Sequence, residues 1–205
     1  MIKIGLTGGI GSGKTTVSIK FKEKGIPVLN TDILAREIME SNETIISSMK
    51  KTFGEKSYID NKLNRKYIAN IVFNDSKQLE ILNSITHPIV RQEIIKWIDS
   101  QTTDFCVVES AIMFNSDLYT IFDELICVTA YKENRIDRII KRDNCTKEEA
   151  LARISKQISQ EEMVSKCRFI ILNNSEELEF LSLDNQIRRI LIILEYEISS
   201  SNSQN

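Results

Sequence analysis

The chain has 205 residues, enough for one α/β core with a smaller subdomain or insert. Charged residues make up 27% and the hydrophobic set 41%, an ordinary balance for a folded protein. The formal charge of −2 argues against a general nucleic-acid or membrane binder, because gripping a phosphate backbone needs a net basic face, although a local basic pocket for a small polyanion fits that charge.

Met1-Ile2-Lys3-Ile4-Gly5-Leu6 enters a strand pattern at once, without an apolar run and cleavage site, and no apolar run reaches about 18 residues. A cytoplasmic protein is therefore expected. The cysteines Cys106, Cys127, Cys145 and Cys167 form no C-x-x-C pair, and the single histidine, His87, rules out a multi-histidine metal site. They read as small buried hydrophobes in a reducing compartment, with neither disulfides nor zinc expected.

In chain order, Ile2–Thr7 predicts the first strand. Gly8-Gly9-Ile10-Gly11-Ser12-Gly13-Lys14-Thr15 follows it directly and fits G-x-x-x-x-G-K-[ST]. Four of the seven glycines fall in this stretch, where they let the backbone approach an anion closely and aim N–H groups at it. A helix predicted to begin near Thr15 adds its positive end. Lys14 is placed to reach the β- and γ-phosphates of a nucleotide, and the Thr15 hydroxyl to ligate Mg²⁺. At average residue frequencies the four fixed positions match in roughly 1% of chains this long, and the strand-to-helix context makes a chance glycine turn rarer still.

Pro27–Asn30 predicts a second strand, with Pro27 confined to its start or to an edge. Residues 31 to 100 read as a largely helical insert. Ile45, Met49 and Phe53 recur at i, i+4 and i+8 before a Gly54 stop, Asn64 caps a helix carrying Ile68, Ile71 and Val72, and Asp75 with Gln78 resembles a capping box. Pro88 suits the first turn of a further helix with the stripe Val90, Ile94, Trp97 and Ile98. Phe105–Ser110 and Glu124–Thr129 predict the next strands. Arg135–Asn144 predicts a helix with Ile136, Ile139 and Ile140 inward, and Thr146 with Glu149 marks a restart after a break, so about 135–165 reads as a lid. Phe169–Leu172 predicts the last strand, Asp184–Ile198 an amphipathic helix, and 199–205 a disordered polar tail. Strands alternating with helices predict an α/β fold with a parallel sheet.

The phosphate loop alone leaves kinase, GTPase and ATPase motor open. Asn61-Lys62-Leu63-Asn64 lacks the carboxylate of a guanine-reading element, and the third strand ends Val107-Val108-Glu109-Ser110 with one acid where motors commonly carry two. Further residues are more specific: the start Gly5-Leu6-Thr7-Gly8-Gly9-Ile10, Asp32, Leu63-Asn64-Arg65, Val72-Phe73, Leu82-Asn83, His87-Pro88, Arg138, Arg142-Asp143, Gln157 and Asn173. On these the chain resembles the dephospho-CoA kinase family over nearly its full length.

The resemblance implies a three-layer P-loop kinase fold: one domain over 1–205 with a five-stranded parallel core (about 1–30 and 101–198), a helical CoA-binding insert (about 31–100) and a helical lid. It implies ATP and dephospho-CoA as partners, Mg²⁺ as cofactor, and transfer to the ribose 3′-hydroxyl in the last step of CoA synthesis. Nucleic acid and membrane are not among the expected partners, and a monomer or weak homo-oligomer is the expected assembly. Two other readings stand beside it: a related nucleoside or nucleotide kinase, and a nucleotide-dependent switch with little turnover.

By the same resemblance Asp32 takes the hydroxyl proton, beside its plainer reading as a helix cap. Lys14 and Arg138 join it as catalytic residues. Gly9, Gly11, Ser12, Gly13, Lys14, Thr15, Thr16, Arg142 and Asn173 bind ATP, Asp32, Arg65 and His87 face dephospho-CoA, and Glu109 acts with Thr15 on the metal through water. Gln157 supports the lid. An exposed basic face also explains Arg138 and Arg142, and a lone histidine before proline also reads as a cap. Asn30, Asn115, Arg135 and Arg168, with Ser110-Ala111-Ile112-Met113, depart from the family pattern.

Overall fold

The computed structural model describes residues 1–73, 75–114, 117–174 and 182–202. Along the chain run β1 (Ile2–Thr7), α1 (Lys14–Glu23), β2 (Val28–Asn30), α2 (Thr31–Ser41), α3 (Glu43–Phe53), β3 (Tyr58–Ile59), β4 (Lys62–Leu63), α4 (Arg65–Val72), α5 (Ser76–Asp99), β5 (Phe105–Glu109), β6 (Glu124–Thr129), α6 (Lys132–Asp143), α7 (Lys147–Ser155), α8 (Gln160–Ser165), β7 (Phe169–Leu172) and α9 (Leu183–Asn202). They form two compact units, Met1–Val28 with Thr102–Asn205, and Leu29–Gln101.

The five-stranded sheet has the order β2-β5-β1-β6-β7. β1 pairs in parallel with β5 and β6, and β6 with β7, so that Ile4 lies opposite Val107 and Leu6 opposite Ile126. Such strands are covered on both faces and read as nearly unbroken apolar runs, which is why they were visible in the sequence. Ile4, Leu6, Val107, Ile126, Val128 and Ile171 pack with Val17 and Phe21 of α1 and with Ile187, Ile190 and Leu194 of α9 into one core. β2 starts one residue after Pro27, which has no N–H for a ladder, although its carbonyl accepts from the Val107 N–H at 2.9 Å.

α9 extends to Asn202, past the expected stop at Ile198. The Ser199 and Ser200 hydroxyls bond back to the carbonyls of Glu195 and Tyr196, at 2.9 and 2.8 Å, so these serines continue the helix. Residues 203–205 of the expected tail lie outside the described residues. Arg168, one of the departures, links β6 to α9 by pairing with Glu124 at 2.7 Å and with Glu197. No described helix is long and apolar enough to cross a membrane.

The second unit packs Ile38, Ile45, Met49, Phe53, Tyr58 and Ile68 into its own core. The caps read from sequence act as local physics requires: Asn64 accepts from the Tyr67 N–H at 3.2 Å, and Asp75 from those of Lys77 and Gln78. The β3–β4 hairpin was not expected inside a helical stretch. Its turn, Asp60-Asn61, has positive φ at both residues (50° and 61°), the conformation that closes a two-residue hairpin.

Pro88 does not start a helix. It lies inside α5, which runs unbroken for 24 residues. Leu82 and Ile85 before it and Ile89 and Val90 after it all pack on the same core, and this shared burial holds the helix through the missing hydrogen bond. Pro88→Ala should therefore raise stability by about 1–3 kcal/mol in urea unfolding; an unchanged or lower midpoint would show that the helix gains from its proline.

Candidate active site

The turn after β1 carries six consecutive carbonyls, Gly8 to Gly13, and each has a donor. The Lys14 ammonium lies 2.7 Å from the Gly8 oxygen and 3.4 Å from that of Gly9. Arg135 Nε donates to the Ile10 oxygen at 3.0 Å. Arg138 Nη1 donates to Gly11 and Ser12, both at 3.3 Å, and the Asn173 amide to Ser12 at 2.8 Å. The Gly13 oxygen begins α1 by accepting from the Val17 N–H at 3.2 Å. Bonds from charged donors stabilise by about 1.5–3 kcal/mol each, so the loop is held in shape by α6 and by the end of β7. With its carbonyls tied to donors, the loop keeps those oxygens from facing an anion, as a backbone anion receptor requires, while the Ile10 and Ser12 amides are themselves engaged by Gln157 and by the Gly9 carbonyl. The buried Ser12 hydroxyl has no hydrogen-bond partner among the described residues, as suits a group that meets a ligand oxygen.

Gly13 shows why the motif needs glycine. Its φ is +88°, and a methyl group there would fall on the Asn173 amide. Gly9 is constrained differently, because a methyl there would strike the Arg135 guanidinium. Gln157 of the expected lid accepts from the Ile10 N–H at 2.7 Å. Thr16 is exposed in the first turn of α1.

Beside the loop, Glu109 ends β5 with only 6% exposure. Its two oxygens accept from the Thr15 hydroxyl at 3.2 Å and from the Ser18 hydroxyl at 2.8 Å. Nothing in the spacing pointed to Ser18, which meets the acid because it follows Thr15 by three residues on the same helix face. The cluster offers oxygen donors alone, and among the described residues no group of three or more acids, histidines or cysteines could hold a metal by itself. It therefore fits a hard divalent ion that completes its shell with phosphate oxygens and water.

Arg138 and Arg142, read as one basic face, separate in the structure. Arg138 lies on the loop and also donates to the Asn173 carbonyl at 2.8 Å. Arg135, three residues before Arg138 and a departure from the family pattern, is buried on the loop. Arg142 points elsewhere and forms a two-pronged pair with Asp143, at 2.7 and 3.0 Å, while 62% of its side chain stays exposed. That pair, with Arg153 on the same acid, holds the Asp143 carboxyl below its ordinary value. In solvent it adds little stability.

In the second unit, Asn30 caps α2 by accepting from the Asp32 and Ile33 N–H groups, each at 3.0 Å. The cap is thus Asn30, not Asp32, which is exposed in the first turn, where its negative charge suits the helix dipole. Arg65 begins α4 and stands 3.7 Å from Glu40, an exposed pair. His87 is half-buried in α5, and burial lowers its pKa. The departure at Asn115 lies outside the described residues.

The loop, its anchors and the sheet behind them coincide with a family pattern described as Dephospho-CoA kinase, which matches residues 2–179. The chain belongs to the dephospho-CoA kinase family. A dephospho-CoA kinase of Listeria monocytogenes is 37% identical over 180 residues, 86% of this chain and 90% of that one. Among solved structures, a Thermus thermophilus protein has a TM-score of 0.80 at 29% identity, covering 95% of this chain and 97% of that one. The dephospho-CoA kinase of Campylobacter jejuni has a TM-score of 0.68 at 29% identity, covering 98% of each. Both likenesses extend over the parallel sheet of this kinase family.

Two outcomes follow from the geometry. Gly13→Ala should weaken ATP binding more than tenfold by calorimetry, since the loop must shift both φ and the Asn173 contact; retained affinity would mean the loop yields easily. His87, the single histidine, should titrate by NMR below about 6.5. Because its folded pKa is depressed, its contribution to stability is present above the ordinary imidazole value and is lost as pH falls through the lowered one.

Proposed function

We propose that this chain transfers the γ-phosphoryl group of ATP to the ribose 3′-hydroxyl of dephospho-CoA, giving CoA and ADP. Membership of the dephospho-CoA kinase family supports the acceptor. The observation that carries the donor is the loop from Gly8 to Gly13, with every carbonyl engaged by a side chain or by α1. The four free cysteines suit the reducing cytoplasm as its setting.

In this reading, the loop amides and the Lys14 ammonium bind the phosphates and offset the charge on the group in transfer. Arg138 and Asn173 keep the Gly11–Ser12 carbonyls away from those oxygens. Arg138 therefore acts on the reaction largely through the loop. Mg²⁺ would be held by the Thr15 hydroxyl and, through water, by Glu109, with Ser18 fixing the second carboxylate oxygen. When bound it supplies neutralisation of the β- and γ-oxygens.

Asp32 orients the 3′-hydroxyl and accepts its proton. A carboxylate with a pKa near 4 is a weak base for an alcohol, but phosphoryl transfer passes through a loose transition state, and the proton becomes acidic as the new bond forms. Orientation is its larger contribution. The cap of α2 is Asn30, so this role does not compete with capping. Arg65, whose pairing with Glu40 is exposed and exchangeable, suits the pyrophosphate of dephospho-CoA, and His87 lines the acceptor side as a neutral imidazole. Arg142 reaches ATP only by exchanging Asp143 for it.

A coupled assay should show ADP release that depends on dephospho-CoA. Asp32→Asn should lower kcat by about 10²-fold or more with ATP affinity unchanged, whereas Lys14→Ala should lower affinity and kcat together. Full turnover in Asp32→Asn would remove that residue from the mechanism, and ADP release indifferent to dephospho-CoA would remove the acceptor.

A further inference from the structure

Arg135 is 6% exposed, and its charged head is bonded to the phosphate loop itself. Besides the bond to the Ile10 carbonyl, the guanidinium lies against the Cα of Gly9, and the α6 backbone at the same residue lies against Gly11, whose added Cβ would come within 2.6 Å of the Arg135 oxygen. A third contact, from Nη1 to the Gln160 side-chain oxygen, is long at 3.5 Å. The carboxylate that acts on the guanidinium is Glu161, itself exposed. Burial lowers the arginine's pKa, yet a guanidinium keeps its proton in proteins. A whole positive charge thus stands inside the protein with a carbonyl, an amide oxygen and a solvent-facing acid around it, where screening is weaker than in water.

Its position along the loop is specific. Lys14 places its ammonium on Gly8 and Gly9, and the lysine of such a loop serves the β- and γ-phosphates. Arg135 packs on Gly9 and Ile10, so it backs the end of the loop that meets the outer phosphates, whereas Arg138 and Asn173 hold the Gly11–Ser12 end.

We propose that Arg135 is a positioning and specificity residue that makes the loop favour a nucleoside triphosphate over the diphosphate. It fixes the Gly9–Ile10 turn and adds a buried charge whose pull grows with the negative charge at that end. The product of the reaction is then held less tightly than the substrate. This inference rests on the loop being the ATP site.

Calorimetric titration of the full chain with ATP and with ADP tests it. Arg135→Gln keeps an N–H donor and removes the charge; ATP affinity should fall about tenfold and ADP affinity about two- to threefold. The KM for ATP should rise while kcat stays within about twofold. Arg135→Lys should recover part of the ATP-to-ADP ratio. Glu161→Gln, at an exposed position, should move the ratio the other way and tighten ATP about twofold. Equal losses for ATP and ADP in Arg135→Gln would mark the arginine as scaffolding alone and overturn the proposal, as would no change at all. If Arg135→Gln does not fold, an unchanged ratio in Glu161→Gln overturns it instead. Wild-type protein that binds neither nucleotide would take down the reading of the loop as well, whereas tight binding with an indifferent ratio removes only Arg135.

Discussion

A backbone turn becomes an anion receptor only if its carbonyl oxygens are kept from facing the anion, and this chain meets that constraint with side chains brought from far along the sequence. Arg135 and Arg138 come from α6, and Asn173 from the residue after β7. The parallel sheet makes this possible. β1, β6 and β7 are neighbours, so the turn after β1 and the segments leaving β6 and β7 emerge at one edge, the edge where ligands bind in open α/β sheets. Loop, anchors and helix dipole are therefore consequences of strand order, and the apolar core that fixes the order stands behind the chemistry.

The acids are arranged with comparable economy. Glu109 is buried and linked to two hydroxyls of α1, which fixes its orientation without another charge. A lone buried carboxylate is unfavourable unless bonded, and its hydroxyl partners can re-form their bonds around an ion. Asp32 has the opposite setting, exposed at the start of a helix whose capping is done by Asn30. In the proposed reaction, the first setting suits an acid that helps hold a metal ion and the second an acid that meets the acceptor substrate.

What could be read from the sequence was whatever local physics decides. The five strands were visible as β-branched runs, the loop as a cluster of glycines before Lys14-Thr15, and the caps at Asn64, Asp75 and Thr146 as side chains within three residues of their targets. Long-range contact decided the rest. Arg135, Arg138 and Arg142 share one spacing, yet the first two turn in to the loop and the third pairs with its neighbour; a gap of 125 residues separates Arg135 from the carbonyl it holds. Pro88 was read as a helix start because the local rule says so, and packing on both sides of it overrode the rule. The Asp60-Asn61 turn did carry a local signal, two residues tolerant of left-handed backbone, hidden by the helical periodicity around it.

The tethering of the loop also bears on the order of events during synthesis. Every residue of the glycine motif has left the ribosome long before α6 is made, and the last anchor, Asn173, follows well over a hundred residues behind. A nascent chain carrying only the motif thus lacks the anchors that α6 and the residue after β7 supply. Completion of the loop's anchoring is a late event that follows completion of the sheet, and a chain ending before β7 would lack the Asn173 contact on the Ser12 carbonyl.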